Sequence, residues 1–267
     1  MDSNARNTIA LQLAQIASEA GRIVESYRGG RASIGIKPDQ SPVTDADRDS
    51  EIAIRAGLAA IFPGVDIVAE ESFDAKHPPA AKRSFFLVDP LDGTREFITG
   101  RDEFTVNIAL VEDGIPVAGC VYAPALHRIY TAGTAALRAE LIPGSRIASL
   151  DQFKPIATSA YPAQGLRALT SRSHGDEATA AMLDRLKVAS REACGSALKF
   201  CTLAEGAADV YPRLAPTMEW DTAAGQAILV AAGGSVLAPD GAPLRYGKAG
   251  FRNAGFVAWG HEPVEAG

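Results

Sequence analysis

The stretch FFLVDPLDGTREF, Phe85 to Phe97, runs from four apolar residues straight into two aspartates, Asp89 and Asp92, with Pro90 between them and Gly93 and Thr94 behind. The apolar run reads as a buried strand closed by a proline-bearing turn. Such a turn needs its Pro, its Gly and at most one Asp. A second Asp directly after a buried strand is surplus to turn chemistry. A fixed Asp-Pro-x-Asp turn can aim two carboxylates at adjacent cations, which in two-metal sites sit roughly 3.5–4 Å apart. If a helix starts at Gly93, its unpaired N–H groups suit a phosphate oxygen. The Thr94 hydroxyl can then pass a proton from a water to a nearby carboxylate. Spacing alone leaves the stretch open between a metal or phosphate site and an ordinary turn.

Other carboxylates also fall at element ends. Glu70 closes the strand-like VDIVAEE, Asp221 opens the helix of TMEWDTAAGQAILVAAGG, and Asp47 lies in the first turn of an earlier helix capped by Thr44. Hard carboxylate oxygens without His or Cys partners suit Mg²⁺ or Mn²⁺ rather than zinc. Clustered, they repel a phosphate ester unless divalent cations cancel their charge. Taken singly, Asp221 and Asp47 read equally as helix N-terminal charges, and Glu70-Glu71 as a solvated strand end.

With 267 residues, 47% hydrophobic and 22% charged, the chain can bury one large core or two packed halves. The net charge of −6, without a basic run, argues against binding a nucleic-acid polymer. No stretch has the pattern of a signal peptide or the length of a membrane span. The three cysteines, Cys120, Cys194 and Cys201, read as reduced, packed thiols, and a cytoplasmic location is expected, with peripheral membrane association left open. Helical spacing covers Ile9 to Tyr27, a second helix stops at Pro63-Gly64, and Asp113-Gly114 marks a hairpin. The stretch 135–164 lacks firm periodicity, which predicts an N-terminal half, 1–150, and a C-terminal half, 151–267. Mixed strands and helices, antiparallel pairs and no sustained βαβ period define an α+β protein. Neither G-x-G-x-x-G nor G-x-x-x-x-G-K occurs.

DPLDGTREF, preceded by VAEES and followed by WDTAAGQAILVAAGG, resembles the inositol monophosphatase superfamily of Mg²⁺-dependent, lithium-sensitive phosphatases. SPVTDAD, EFTVNIALVEDGIPVAGCVYAPA, SRSH and GSALKFCTLAEGAADVYPRLAPTMEWDTAAG are similar to its 3′(2′),5′-bisphosphate nucleotidase branch, and the match runs from about Leu11 to Gly260. The resemblance implies a layered α-β-α-β-α sandwich with the site where the two halves join. It implies two or three Mg²⁺ ions, replaceable by Mn²⁺, on Glu70, Asp89, Asp92, Asp221 and the Leu91 carbonyl. Asp47, Thr94 and Glu70 match the residues that activate and orient the water, and Gly93 and Thr94 the phosphate turn. The implied reaction is direct attack of metal-activated water on adenosine 3′,5′-bisphosphate, giving AMP and phosphate, with 3′-phosphoadenylyl sulfate as a further substrate and sulfur assimilation as the setting. The alternatives are an inositol or sugar monophosphate phosphatase and, more remotely, a catalytically idle phosphate-binding regulator. The partner expected is a small phosphorylated nucleotide, and the sequence leaves monomer and dimer open.

Further polar residues have two readings each. Ser171, Arg172, Ser173 and His174 either touch the second phosphate or ribose, or form a polar turn before a helix. Lys199 and Arg213 either counter the 5′-phosphate or pair with a carboxylate. Trp220 reads as core packing, and His77, His127 and His261 as ordinary loop histidines.

Overall fold

The computed structural model of the chain describes residues 2–38, 40–172 and 175–264. Helix α1 (Ser3–Ser26) leads into a short hairpin, β1 (Ile34–Ile36) and β2 (Pro42–Thr44), and then helix α2 (Asp45–Ile61). A seven-stranded sheet follows in chain order: β3 (Asp66–Ala69), β4 (Ser84–Asp92), β5 (Thr105–Glu112), β6 (Ile115–Ala123), β7 (Arg128–Ala132), β8 (Ala136–Glu140) and β9 (Lys154–Pro155). The short helix α3 (Thr94–Ile98) lies between β4 and β5. Only β3 and β4 pair in parallel; the rest of this sheet is antiparallel.

The remaining chain supplies β10 (Leu166–Ser171), α4 (Glu177–Arg185), β11 (Val188–Cys194), α5 (Leu198–Ala204) and β12 (Val210–Arg213). After these come β13 (Thr217–Met218), α6 (Ala223–Ala231), β14 (Ser235–Leu237), β15 (Arg252–Asn253) and β16 (Phe256–Trp259). Five of these strands form a second sheet in the order β11-β10-β12-β16-β14.

Three hydrophobic clusters stack these elements into layers. Leu13, Ala17, Ile54 and Leu58 of α1 and α2 pack on Phe86, Val88, Ile108 and Cys120 of the first sheet. Its opposite face, with Phe85, Leu87, Ala109 and Val121, meets Phe200, Ala224 and Ile228 of α5 and α6, and these in turn meet Phe256 and Ala258 of the second sheet. Leu183 of α4 closes the far side over Leu166, Val210 and Trp259. The result is an α-β-α-β-α sandwich. The position of β4 explains its composition. Alternate residues of FFLV enter different clusters, so both faces are buried and the apolar run is continuous rather than alternating.

Some elements depart from the sequence reading. Residues 34–44, between the two predicted helices and not assigned from the sequence, form the β1–β2 hairpin. The stretch 135–164 contains β8 and β9, which extend the first sheet as far as Lys154–Pro155. β11 has no counterpart in the sequence reading; its residues VASREAC are mostly exposed at the sheet edge, so no apolar pattern marks them. Cys120 and Cys201 are buried free thiols and Cys194 is half-buried. Among the described residues no helix is long and apolar enough to cross a membrane.

Candidate active site

Two side chains three apart on a regular strand point to opposite faces. Asp89 and Asp92 nevertheless line one cavity of about 520 Å³. The cause is a break in the β4–β5 register: Asp89 faces Asn107 and Asp92 faces Thr105, leaving Pro90 and Leu91 without ladder partners. Such a bulge re-aims side chains and is one of the few places in a sheet that accept proline. Ser50 of α2 pins it by donating to the Pro90 carbonyl at 3.1 Å. Gly93 then turns the chain at φ 98° as the residue before α3, a left-handed conformation that favours glycine.

The same cavity is lined by Glu70, Leu91, Gly93, Thr94 and Asp221, all predicted from the sequence. Lys199 and Arg213 line it from the second sheet's side, joined by Ser171 and Arg172. Asp47 stands behind the lining: its Oδ1 accepts the Thr94 hydroxyl at 2.9 Å, and its Oδ2 accepts the Thr44 N–H at 2.8 Å and the Thr44 hydroxyl at 2.6 Å. Thr94 Oγ1 also lies 3.2 Å from the Leu91 carbonyl. Ser173 and His174 lie outside the described residues.

The electrostatics have two poles. Burial, together with the charges of Glu70, Asp92 and Asp221, raises the Asp89 carboxyl well above the ordinary range. Burial, with Asp92 and Glu70 nearby, pushes Asp221 up to about 8. Asp92 is also raised by burial, with Lys199 and Arg213 drawing it back. Asp47 is raised by burial, partly offset by the Thr44 and Thr94 hydrogen bonds. Facing these acids, Lys199 is only 3% exposed; its Nζ donates to Ser196 O at 2.7 Å and Cys194 O at 3.1 Å and lies 5.0 Å from the centre of the Tyr211 ring. Arg213 keeps a buried Nε with no hydrogen-bond partner among the described residues.

Each acid also has a partner within the chain. Asp89 accepts the Leu91 N–H at 3.0 Å, Asp92 the Asn107 amide at 3.3 Å, and Asp221 the Met218 N–H at 3.1 Å. Glu70 and Glu71 share Lys37 Nζ, 2.7 Å from each. Glu71 is therefore not a solvated strand end: burial raises it to about 7, with the Glu70 charge adding to the rise and Lys37 opposing it. Among the described residues no three His, Cys, Asp or Glu side chains stand grouped around one metal position. Lys37 is a site residue the sequence reading missed. A single lysine in a polar loop carries no local signal of a partner 33 residues away.

Trp220 is 5% exposed and edge-on to Phe73 at 5.1 Å, so it packs in the core while also bordering the cavity. His77 bonds the exposed Asp74, and His261 packs on Tyr161, both far from this chemistry in kind.

A layered sandwich whose cavity sets acids against the buried Lys199 and the half-buried Arg213 defines a class, and the chain belongs to it: the sequence profile of the inositol monophosphatase family matches residues 5–262. Among curated relatives, the 3′(2′),5′-bisphosphate nucleotidase CysQ of Salmonella typhimurium is 41% identical over 249 residues, covering 92% of this chain and 97% of its own. CysQ of Escherichia coli strain K12 is 39% identical with the same coverage. The crystal structure of CysQ from Bacteroides thetaiotaomicron superposes with a TM-score of 0.81 at 36% identity, over 95% of this chain and 97% of that one. An inositol monophosphatase from Zymomonas mobilis gives 0.75 at 25% identity, over 97% and 94%.

Proposed function

We propose that this chain is a Mg²⁺-dependent 3′(2′),5′-bisphosphate nucleotidase that hydrolyses adenosine 3′,5′-bisphosphate to AMP and phosphate, with 3′-phosphoadenylyl sulfate as a second substrate. The observation that carries the reading is the two-pole cavity: acids from β4, the segment after β3 and the turn before α6 on one side, Lys199 and Arg213 on the other. An ester with a phosphate to be cleaved and a second phosphate to be held matches both poles. A monoester brings no second phosphate to these cations, which then face only the acids of the cavity such as Asp92 and Asp221. The identity to CysQ proteins over nine-tenths of the chain supports the same substrate class. In this reading the halves 1–150 and 151–267 meet at the cavity, and the setting is the cytoplasm.

The donor chemistry fits divalent cations. Carboxylates of Glu70, Asp89, Asp92 and Asp221 and the Leu91 carbonyl are hard oxygens, the set that suits Mg²⁺ and Mn²⁺. Burial and mutual repulsion raise the pKa values of Asp89 and Asp221 despite Arg213 beside Asp221, and bound cations would supply the missing positive charge. Those five residues would hold two or three ions. Once bound, such ions would supply Lewis-acid chemistry, polarising phosphoryl oxygens and lowering the pKa of a water.

The remaining steps belong to the chain. Glu70 orients the attacking water. The Thr94 hydroxyl takes a proton from that water as it passes its own to Asp47 Oδ1, 2.9 Å away. Burial raises the affinity of Asp47 for that proton. Gly93 and Thr94, at the start of α3, present first-turn N–H groups to the phosphate. Lys199 and Arg213 hold the second phosphate and orient the ribose. Water oxygen bonds to phosphorus, the P–O3′ bond breaks, and the ribose oxygen leaves and takes a proton from solvent to become the 3′-hydroxyl.

Phosphate release from adenosine 3′,5′-bisphosphate tests this. The purified protein releases phosphate and AMP only with Mg²⁺ or Mn²⁺, and Li⁺ inhibits. Asp89→Asn abolishes turnover while circular dichroism stays unchanged. Wild-type-like hydrolysis by Asp89→Asn at saturating Mg²⁺ sinks the assignment.

A further inference from the structure

Glu103, in the loop between α3 and β5, does not line the cavity, yet it touches both of the turns that do. A Cβ on Gly93 would come within 3.2 Å of the Glu103 carbonyl oxygen, and one on Gly195 within 2.6 Å of the same atom. Two glycines thus let the Asp92–Thr94 turn and the Gly195–Lys199 turn close on one peptide.

The side chain completes the contact. Glu103 Oε2 accepts the Gly195 N–H at 3.1 Å, and its carboxylate receives Arg172 at 2.8 and 2.9 Å. Arg172 donates in turn to the Ala193 carbonyl at 2.8 Å. The segment from Gly195 to Lys199 is therefore tied to the β4–β5 side at Glu103. Lys199 rides on it: its Nζ is fixed by the carbonyls of Cys194 and Ser196, and Ser196 itself is left-handed at φ 48°.

The Glu103–Arg172 pair is about one-third exposed on both sides, 31% and 35%, so as an ion pair it contributes little to stability. Its consequence is geometric. We propose that Glu103 is a positioning residue for substrate choice: by holding the Gly195–Lys199 turn against the acidic side, it fixes the distance from the cleaved phosphate to the cation that receives the second one. This rests on the bisphosphate reading above.

The test compares adenosine 3′,5′-bisphosphate with adenosine 3′-monophosphate, which has the same scissile bond and no second phosphate. Glu103→Ala raises KM for the bisphosphate about tenfold, the scale of one lost charge-assisted contact, and leaves kcat and the KM for the monophosphate little changed. Glu103→Gln, which keeps an oxygen for the Gly195 N–H, restores most of the preference. Backbone amide exchange across residues 193–199 quickens in Glu103→Ala, a readout that needs no substrate. If Glu103→Ala does not fold, Glu103→Asp, too short to span to Gly195, carries the same comparison. An unchanged preference in a folded variant, or an equal loss for both substrates, overturns the positioning role alone. A wild-type enzyme indifferent to the second phosphate overturns this role and the substrate reading together.

Discussion

The Thr94 hydroxyl has one proton and two acceptors within reach, Asp47 Oδ1 at 2.9 Å and the Leu91 carbonyl at 3.2 Å. In the reaction proposed, only donation to Asp47 lets it take a proton from water. Thr94→Val keeps the shape and removes the relay, so kcat falls by about 10²-fold or more. Thr94→Ser keeps most of the activity. Steady-state phosphate release separates the two, and a fully active Thr94→Val contradicts the relay. The acids of this relay and of the cavity were legible because each stands at an element boundary in a short local pattern. Lys37 and Glu103 were not, and Arg172 was legible as a polar candidate of the site but not as the partner of Glu103. Their partners lie 33, 92 and 69 residues away, and such a separation leaves no trace in neighbouring residues.

At the scale of elements, β4 and its bulge decide the geometry. Pro90 and Leu91 break the ladder, Ser50 pins the break, and Gly93 turns the chain into α3. Gly93→Ala places a Cβ 3.2 Å from the Glu103 carbonyl in a left-handed backbone, a strain of about 1–3 kcal/mol. The expected outcome is a lower Tm together with a larger loss of turnover, because the turn must shift to accommodate the methyl group. A Gly93→Ala protein with wild-type Tm and kcat contradicts the geometry described. β4 was readable from sequence because both of its faces are buried, which leaves an unbroken apolar run. β11 was not, since an exposed edge strand carries polar residues and resembles a loop.

Across the whole molecule, the acids packed in the cavity couple stability to pH and to metal. Asp221 titrates near 8 in the folded chain and in the ordinary Asp range when unfolded, so the native state holds its proton more tightly. The stability from that proton is full below the ordinary Asp range and is lost as pH rises through about 8. Asp89 and Asp92 shift in the same direction. Cations replace protons at such a site. The Tm of the metal-free protein therefore declines from about pH 5 to about pH 8, and Mg²⁺ raises it more at the upper end. Scanning calorimetry with and without Mg²⁺ checks both, and an equal effect of Mg²⁺ at the two pH values contradicts the coupling. The layered architecture was legible because several separated segments matched the family in order.

The central claim is that the cavity selects a substrate with two phosphates. The most direct measurement is kcat/KM for adenosine 3′,5′-bisphosphate against inositol 1-phosphate, with and without Mg²⁺. The account predicts Mg²⁺-dependent hydrolysis and a clear preference for the bisphosphate. An equal or higher kcat/KM for inositol 1-phosphate, or phosphate release that needs no divalent cation, contradicts it.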